Sequence, residues 1–156
     1  MTRILVCGLA DEDFVHRSLD EVNEVYGPVT CVIHNNHPQA LAWQQDVSQV
    51  QVTRHLPVVE DWRGDGVLAS SRCRDRMFAA RPDYLIVFRT VDKAGNDELF
   101  SDKGKEKTKL IVYRAQADDI EVVTFTTTAK QKRRRRVDPG PAATSPEEPS
   151  QELAAS

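Results

Sequence analysis

Cysteine, glycine and long apolar runs are all scarce in this chain, which has 3 cysteines and 7 glycines among 156 residues. Two of the cysteines, Cys7 and Cys31, lie inside apolar strand-like runs, and the third is Cys73. An odd number of such residues argues against a disulfide framework, so we expect a reduced, cytoplasmic protein. No apolar run approaches the length that spans a bilayer, and no basic start precedes an apolar segment. We therefore expect neither membrane insertion nor secretion.

Positive charge is scarce in the first 129 residues, which carry 15 basic and 20 acidic side chains. We expect no broad basic face for a phosphate backbone there. The positive charge is concentrated in one segment, which we call the basic arm: Lys130, Lys132, Arg133, Arg134, Arg135 and Arg136. Two interpretations of the arm are open, a nucleic-acid-binding arm and a solubilising tail. Residues 137–156 are mostly Pro, Ala, Ser and Glu, and we expect them to be disordered.

Short apolar runs alternate with helical patterns through residues 1–129, which we expect to form one domain. The predicted strands are 3–8, 29–35, 51–58 and 84–88, and the predicted helices begin at Asp11 and Pro38 and cover 67–81. This order predicts a Rossmann-like, doubly wound α/β fold, with a mainly parallel sheet of five or six strands and helices on both faces. The central-strand residues expected to be buried are Leu5, Val6, Val32, Ile33, Leu85, Ile86 and Val87.

The pattern weakens after residue 91. Residues 92–108 are rich in Lys, Asp and Gly and predict only a short helix or an ordered loop. Two later runs, 110–114 and 121–128, have strand composition. The second run alternates apolar with polar residues, which is typical of an edge strand.

A sheet of this kind binds ligands at the carboxyl ends of its strands. The functional site is therefore expected in the segments 8–13, 34–38, 70–74 and 89–92. The candidate ligand-binding residues are Gly8, His34, Asn35, Ser70, Ser71, Arg72, Arg74 and Arg89. Residues two apart on a helix point in different directions, so only one or two of the arginines are expected to face the site.

Several of these segments together resemble the YspA-like branch of the SLOG superfamily. The resemblance covers roughly residues 3–113 and rests on ILVCG at 4–8, VIH at 32–34, a loop with Trp62 that leads to a helix with Ala69 and Met77, and PDYLIVF at 82–88. These Rossmann-like domains are related to cytokinin-activating phosphoribohydrolases and to the DNA-processing protein of natural transformation. The resemblance implies binding of a nucleotide or a nucleotide-derived ligand, often by a sensor.

The chain departs from that family at its ligand-binding loops. Leu9 and Ala10 stand where Gly and Arg are expected, and after His34 a glycine-rich phosphate loop is replaced by Asn35, Asn36 and His37. The family arginine of the third helix falls on Cys73, with Arg72 and Arg74 on either side. The glycine-rich loop after the fourth strand is replaced by residues 89–95, and no catalytic Glu follows.

Three functions of different classes follow. The leading hypothesis is a non-enzymatic domain, a sensor or accessory protein, that binds a nucleotide-derived small molecule, and we expect no cofactor. The second is a nucleic-acid-associated protein that uses the basic arm. The third is a hydrolase of N-glycosidic bonds, for which Asp11, Asp13 and Asp92 are the carboxylate candidates. His34 and His37 are spaced like metal ligands, but a metal site needs three or four, so we expect no metal. A homo-oligomer is compatible with all three.

Overall fold

The structure is a computed structural model that describes residues 1–47, 50–54, 63–64, 66–94 and 102–128. The strands are β1 Thr2–Gly8, β2 Val29–His34, β3 Gln51–Arg54, β4 Tyr84–Val91 and β5 Glu121–Thr128. The helices are α1 Glu12–Val25, α2 Pro38–Asp46, α3 Ala69–Ala79 and α4 Asp102–Ala117, and a short 3-10 turn, Gly66–Leu68, leads into α3.

The five strands form one sheet in the order β3-β2-β1-β4-β5, and every neighbouring pair is parallel. The chain moves outward from β1 to β3, returns to the middle at β4 and then continues to the other edge. The strand order therefore reverses between β1 and β4, where Leu5 pairs with Leu85. This topology confirms the predicted Rossmann-like α/β fold, and it places the switch point beside Gly8.

Helices cover both faces of the sheet and produce two separate cores. Residues of α1 and α2, including Leu19 and Trp43, pack with Ile4 and Ile86 on one face. On the other face, residues of α3 and α4, including Met77, pack with residues of β1, β2 and β4. The predicted central-strand residues are all buried, which confirms that part of the sequence analysis: Leu5, Val6, Val32, Ile33, Leu85, Ile86 and Val87.

Helix α1 forms because the spacing of its apolar residues and its N-cap both favour a helix at this position. Val15, Leu19 and Val22 recur at spacings of four and three and are buried against the sheet. The carboxylate of Asp11 accepts a hydrogen bond from the Phe14 N–H at 3.0 Å, which confirms Asp11 as the N-cap.

Residues 110–114 were predicted to form a strand, and this prediction is wrong. They lie inside α4, where Ile111 and Ala115 are spaced by one helical turn and pack on the sheet. The topology explains the difference. Since β4 and β5 are parallel neighbours, the connection between them must cross over the sheet, and a helix fulfils that requirement. Four consecutive apolar residues do not distinguish a strand from one turn of a buried helix.

The remaining predictions differ mainly at element boundaries. The described part of the third strand ends at Arg54, and the third helix begins at Ala69, two residues later than predicted, because the 3-10 turn precedes it. The Trp62 loop, the basic arm and the C-terminal tail lie outside the described residues. No helix in the described part of the chain is long and apolar enough to cross a membrane.

Candidate functional site

The carboxyl end of β1 is pressed directly against β4. Gly8 pairs with Phe88 and has a φ of +98°. A Cβ atom at this position would lie 2.0 Å from the Phe88 carbonyl oxygen. Gly8 thus allows two central strands to approach each other at the switch point, which is a structural role.

Three neighbouring side chains hold the loop that follows β1. His37 Nε2 donates to the Gly8 carbonyl oxygen at 2.9 Å, and Thr90 Oγ1 donates to that of Leu9 at 3.0 Å. Gln39 Nε2 donates to the Ala10 carbonyl oxygen at 2.7 Å. Three consecutive carbonyls are therefore fixed by side chains from α2, its N-cap and β4. Residues 8–10 present a backbone already engaged by the protein itself, where a glycine-rich loop would approach a ligand.

The N-terminus of α1 is also occupied by the protein itself. The Asp11 carboxylate binds there, and Glu12 and Asp13 are exposed in the first turn. Three carboxylates at a helix N-terminus compete with any incoming anion for the positive end of the helix dipole. This end of α1 is therefore poorly suited to a phosphate group.

Two buried histidines organise the segment between β2 and α2. His34 is fully buried, and its Nδ1 accepts a hydrogen bond from the His37 N–H at 2.9 Å. His37 is 8% exposed and caps α2, since its Nδ1 accepts from the Ala40 N–H at 3.2 Å. Because His37 Nε2 donates to Gly8 while Nδ1 accepts, this geometry requires the neutral imidazole with its proton on Nε2.

Burial lowers the pKa of His37 below its ordinary value, and its hydrogen bond to the Gly8 carbonyl offsets part of that effect. The unfolded chain therefore takes up a proton first as the pH falls below about 6.5, the ordinary histidine pKa. We expect the free energy of unfolding to be greatest above that pH and to decrease as the pH is lowered toward the folded-state pKa. Urea denaturation at pH 7.5 and pH 5.5 measures this decrease.

The matched variant for that experiment is His37→Asn, because asparagine caps a helix but does not titrate. Its stability should be lower overall and should depend less on pH than that of the wild type. An identical pH dependence in the two proteins would show that the pKa of His37 is the same in the folded and unfolded states.

A small pocket opens on the other face of the sheet, between α3, α4 and the end of β2. Its volume is about 30 Å³, which is room for a single water molecule. Seven residues line it. We call the four polar ones the rim, and the other three are less polar: Asn35, Ser70, Arg74 and Lys107, then Cys73, Met77 and Ile111. None of the four rim side chains makes a hydrogen bond or an ion pair with another described residue.

The start of α3 differs from that of α1 in the features that matter for an anion. The N-cap is Leu68, with no side-chain hydrogen bond, and the first turn contains no acidic residue. Ser70 in that turn lines the pocket, and Arg74 follows one helical turn later. The helix dipole and Arg74 therefore act in the same direction at this point.

The structure brings together three of the eight predicted ligand-binding residues, namely Asn35, Ser70 and Arg74. Gly8 and His34 are engaged in packing and loop structure, as described above. Arg72 is exposed and does not line the pocket, and neither does Ser71. Arg89 follows Val87 by two residues on β4, so it lies on the same face of the sheet as the pocket without lining it.

Sequence analysis missed Lys107, which contributes the second positive charge of the rim. The signal was present, because Lys107, Ile111 and Ala115 recur at intervals of four residues. That spacing is helical and places the three side chains along one face of α4. It was hidden by the strand-like composition of the segment in which Ile111 lies.

The carboxylate candidates for hydrolysis lie away from the pocket. Asp11 caps α1, Asp13 is exposed on α1, and Asp92 Oδ1 accepts from the Ala94 N–H at 2.9 Å in the turn after β4. Among the described residues there is no group of three His, Cys, Asp or Glu side chains that could hold a metal ion. Burial raises the pKa of the Cys7 thiol to about 12, so this cysteine is protonated and unreactive at neutral pH.

Comparison with known proteins adds no constraint to this description. No protein family, curated protein or solved structure matches the chain.

Proposed function

We propose that this domain binds a phosphate-bearing small molecule derived from a nucleotide and holds it without chemical change, as a sensor or accessory protein. The carrying observation is the pocket, where Arg74 and Lys107 meet the hydroxyl of Ser70 and the amide of Asn35. Two cations, a hydroxyl and an amide are suitable donors for phosphate oxygens. The nucleotide origin of the ligand is supported by the sequence resemblance alone.

The size of the pocket limits how such a ligand binds. A cavity of about 30 Å³ does not enclose a phosphate group, so the ligand rests on the rim. Asn35 and Lys107 are exposed and Arg74 is partly exposed, which leaves their side chains room to close around an anion. The loop after β1 is already hydrogen-bonded within the protein, and the start of α1 is acidic. Both features favour phosphate binding at the pocket rather than at the switch point.

Arg74→Ala is expected to weaken phosphate binding by about tenfold or more, because a hydrogen bond to a charged group contributes about 1.5–3 kcal/mol. The measurement is an NMR titration of the labelled protein with inorganic phosphate and with nucleoside phosphates. Shifts should concentrate at Asn35, Ser70 and Lys107.

The matched control is Arg72→Ala, which removes the same charge from an exposed position two residues earlier on α3. Its affinity should equal that of the wild type apart from a small long-range effect. Equal losses in the two variants would indicate general electrostatic attraction, and no loss in either would contradict the proposed site. Mass spectrometry of small molecules released from the purified protein would then identify the natural ligand.

The basic arm lies outside the described residues. Its nucleic-acid-binding function, and an N-glycosidic hydrolase activity, stay predictions from the sequence. Hydrolysis is less well supported, since none of Asp11, Asp13 and Asp92 lines the pocket.

A further inference from the structure

Strand β5 is an edge strand that pairs with β4 along its whole length. All eight of its residues pair with β4 without a register shift, from Glu121 opposite Tyr84 to Thr128 opposite Val91. No other strand of the described residues pairs with its outer side. As far as the described residues go, the backbone N–H and C=O groups on this side of β5 can pair with another strand.

The usual protection of an edge strand is missing from β5. Its sequence is EVVTFTTT, so after Glu121 it contains no charge and no proline, and the pairing shows no bulge. The described part of β3, at the opposite edge, has only four residues and ends in Arg54, which donates to Asn36 Oδ1 at 3.0 Å. The described part of the β3 edge is short and ends in a charged residue, whereas β5 is long and carries no charge after Glu121.

Helix α4 packs on one face of the sheet, where it contacts β5 and also reaches α3. Arg114 on α4 forms an ion pair with Asp75 on α3 at 2.7 Å and lies over the Phe78 ring, 5.2 Å from its centroid. The side chains of Glu121, Thr124, Thr126 and Thr128 remain exposed.

The charges at the two ends of β5 are opposite. Asp118, Asp119 and Glu121 are exposed at its amino end. Its carboxyl end, Thr128, is followed in the sequence after one residue by the basic arm. A strand with one acidic and one basic end is complementary to a second copy of itself in the antiparallel direction. Parallel pairing in register would instead place Glu121 beside Glu121 and one basic arm beside the other.

We propose that β5 pairs with β5 of a second copy of this chain, antiparallel about a two-fold axis near Thr124 and Phe125, to form a continuous ten-stranded sheet. Such an isologous contact closes on itself and leaves no outer β5 edge.

Sedimentation equilibrium of the full chain tests the proposal over about 1 μM to about 1 mM, the range in which weak and moderate contacts are measured. The wild type should be a monomer–dimer mixture. Thr124→Lys should raise the dimer Kd about tenfold or more, because it places two positive charges across the axis. Gln45→Lys adds the same charge at an exposed position of α2 and should leave the Kd unchanged.

Charge reversal tests the direction of pairing. Lys130→Glu with Lys132→Glu should weaken the dimer, and adding Asp118→Lys with Asp119→Lys should restore it, which a folding defect could not do. Amide exchange in Glu121–Thr128 should slow as the concentration of the wild type rises, but not in Thr124→Lys.

Three results would overturn the proposal. One is a wild-type monomer at every concentration, and another is a dimer that Thr124→Lys does not weaken. The third is a dimer that forms only when nucleic acid is added, which would assign the basic arm to that partner. The phosphate titration is independent, since the pocket shares no residue with β5.

Discussion

Gly8→Ala should produce the largest loss of stability of any single methyl addition in the described core. Its Cβ would lie 2.0 Å from the Phe88 carbonyl oxygen and 2.7 Å from the Phe88 nitrogen. These are backbone atoms of the central pair β1 and β4, which cannot move without breaking strand pairing. This clash and the positive φ together should lower the free energy of unfolding by about 3 kcal/mol or more. Urea denaturation measures the loss.

Gly66→Ala separates the two contributions. Gly66 also has a positive φ, of +54°, but nothing lies within 4 Å of a Cβ added there. The Gly66→Ala variant should lose only about 1–2 kcal/mol in the free energy of unfolding, which is the cost of the left-handed conformation alone. Similar losses at Gly8 and Gly66 would mean that the contact with Phe88 is unimportant and that β1 and β4 are not held as closely as described.

Ile86→Ala should cost about 2–5 kcal/mol, the range observed for large-to-small changes in a closed core. Ile86 is fully buried on β4, where it packs in the same core as Ile4 and Phe88. Helices on both faces of the sheet restrict the collapse of neighbouring side chains into the vacated volume. The loss of stability should therefore exceed the hydrophobic transfer free energy of the deleted atoms. Equilibrium unfolding in urea gives the value directly.

Val25→Ala is the control for Ile86→Ala. Val25 ends α1 and is 64% exposed, so removing two of its carbon atoms leaves no cavity. Its loss should be within about 0.5 kcal/mol. If Ile86→Ala lost less than about 1 kcal/mol, β4 could not be a central strand, and the doubly wound arrangement would fail with it.

Local sequence patterns were sufficient for the strands and for the start of α1. Uninterrupted apolar residues such as Leu5 and Ile86 indicate strands covered on both faces, because such strands have no side that faces water. Asp11 followed by apolar residues at helical spacing predicts α1 and its cap, since both signals depend on neighbours within two turns. The alternation in residues 121–128 likewise predicted the edge strand β5.

The sequence by itself thus determined the fold class, most of the core and the strong charge of the basic arm. Only the tertiary structure decided that Leu110 and Ile111 lie in a helix, because that depends on the parallel pairing of β4 with β5. It also decided which polar residues meet. Asn35 and Lys107 are 72 positions apart and share a pocket through the packing of α3 and α4, whereas His34, adjacent to Asn35, points into the opposite, buried side of the strand end. Local periodicity reports which side of an element is buried, but contacts between distant elements depend on topology and packing, which no local pattern contains.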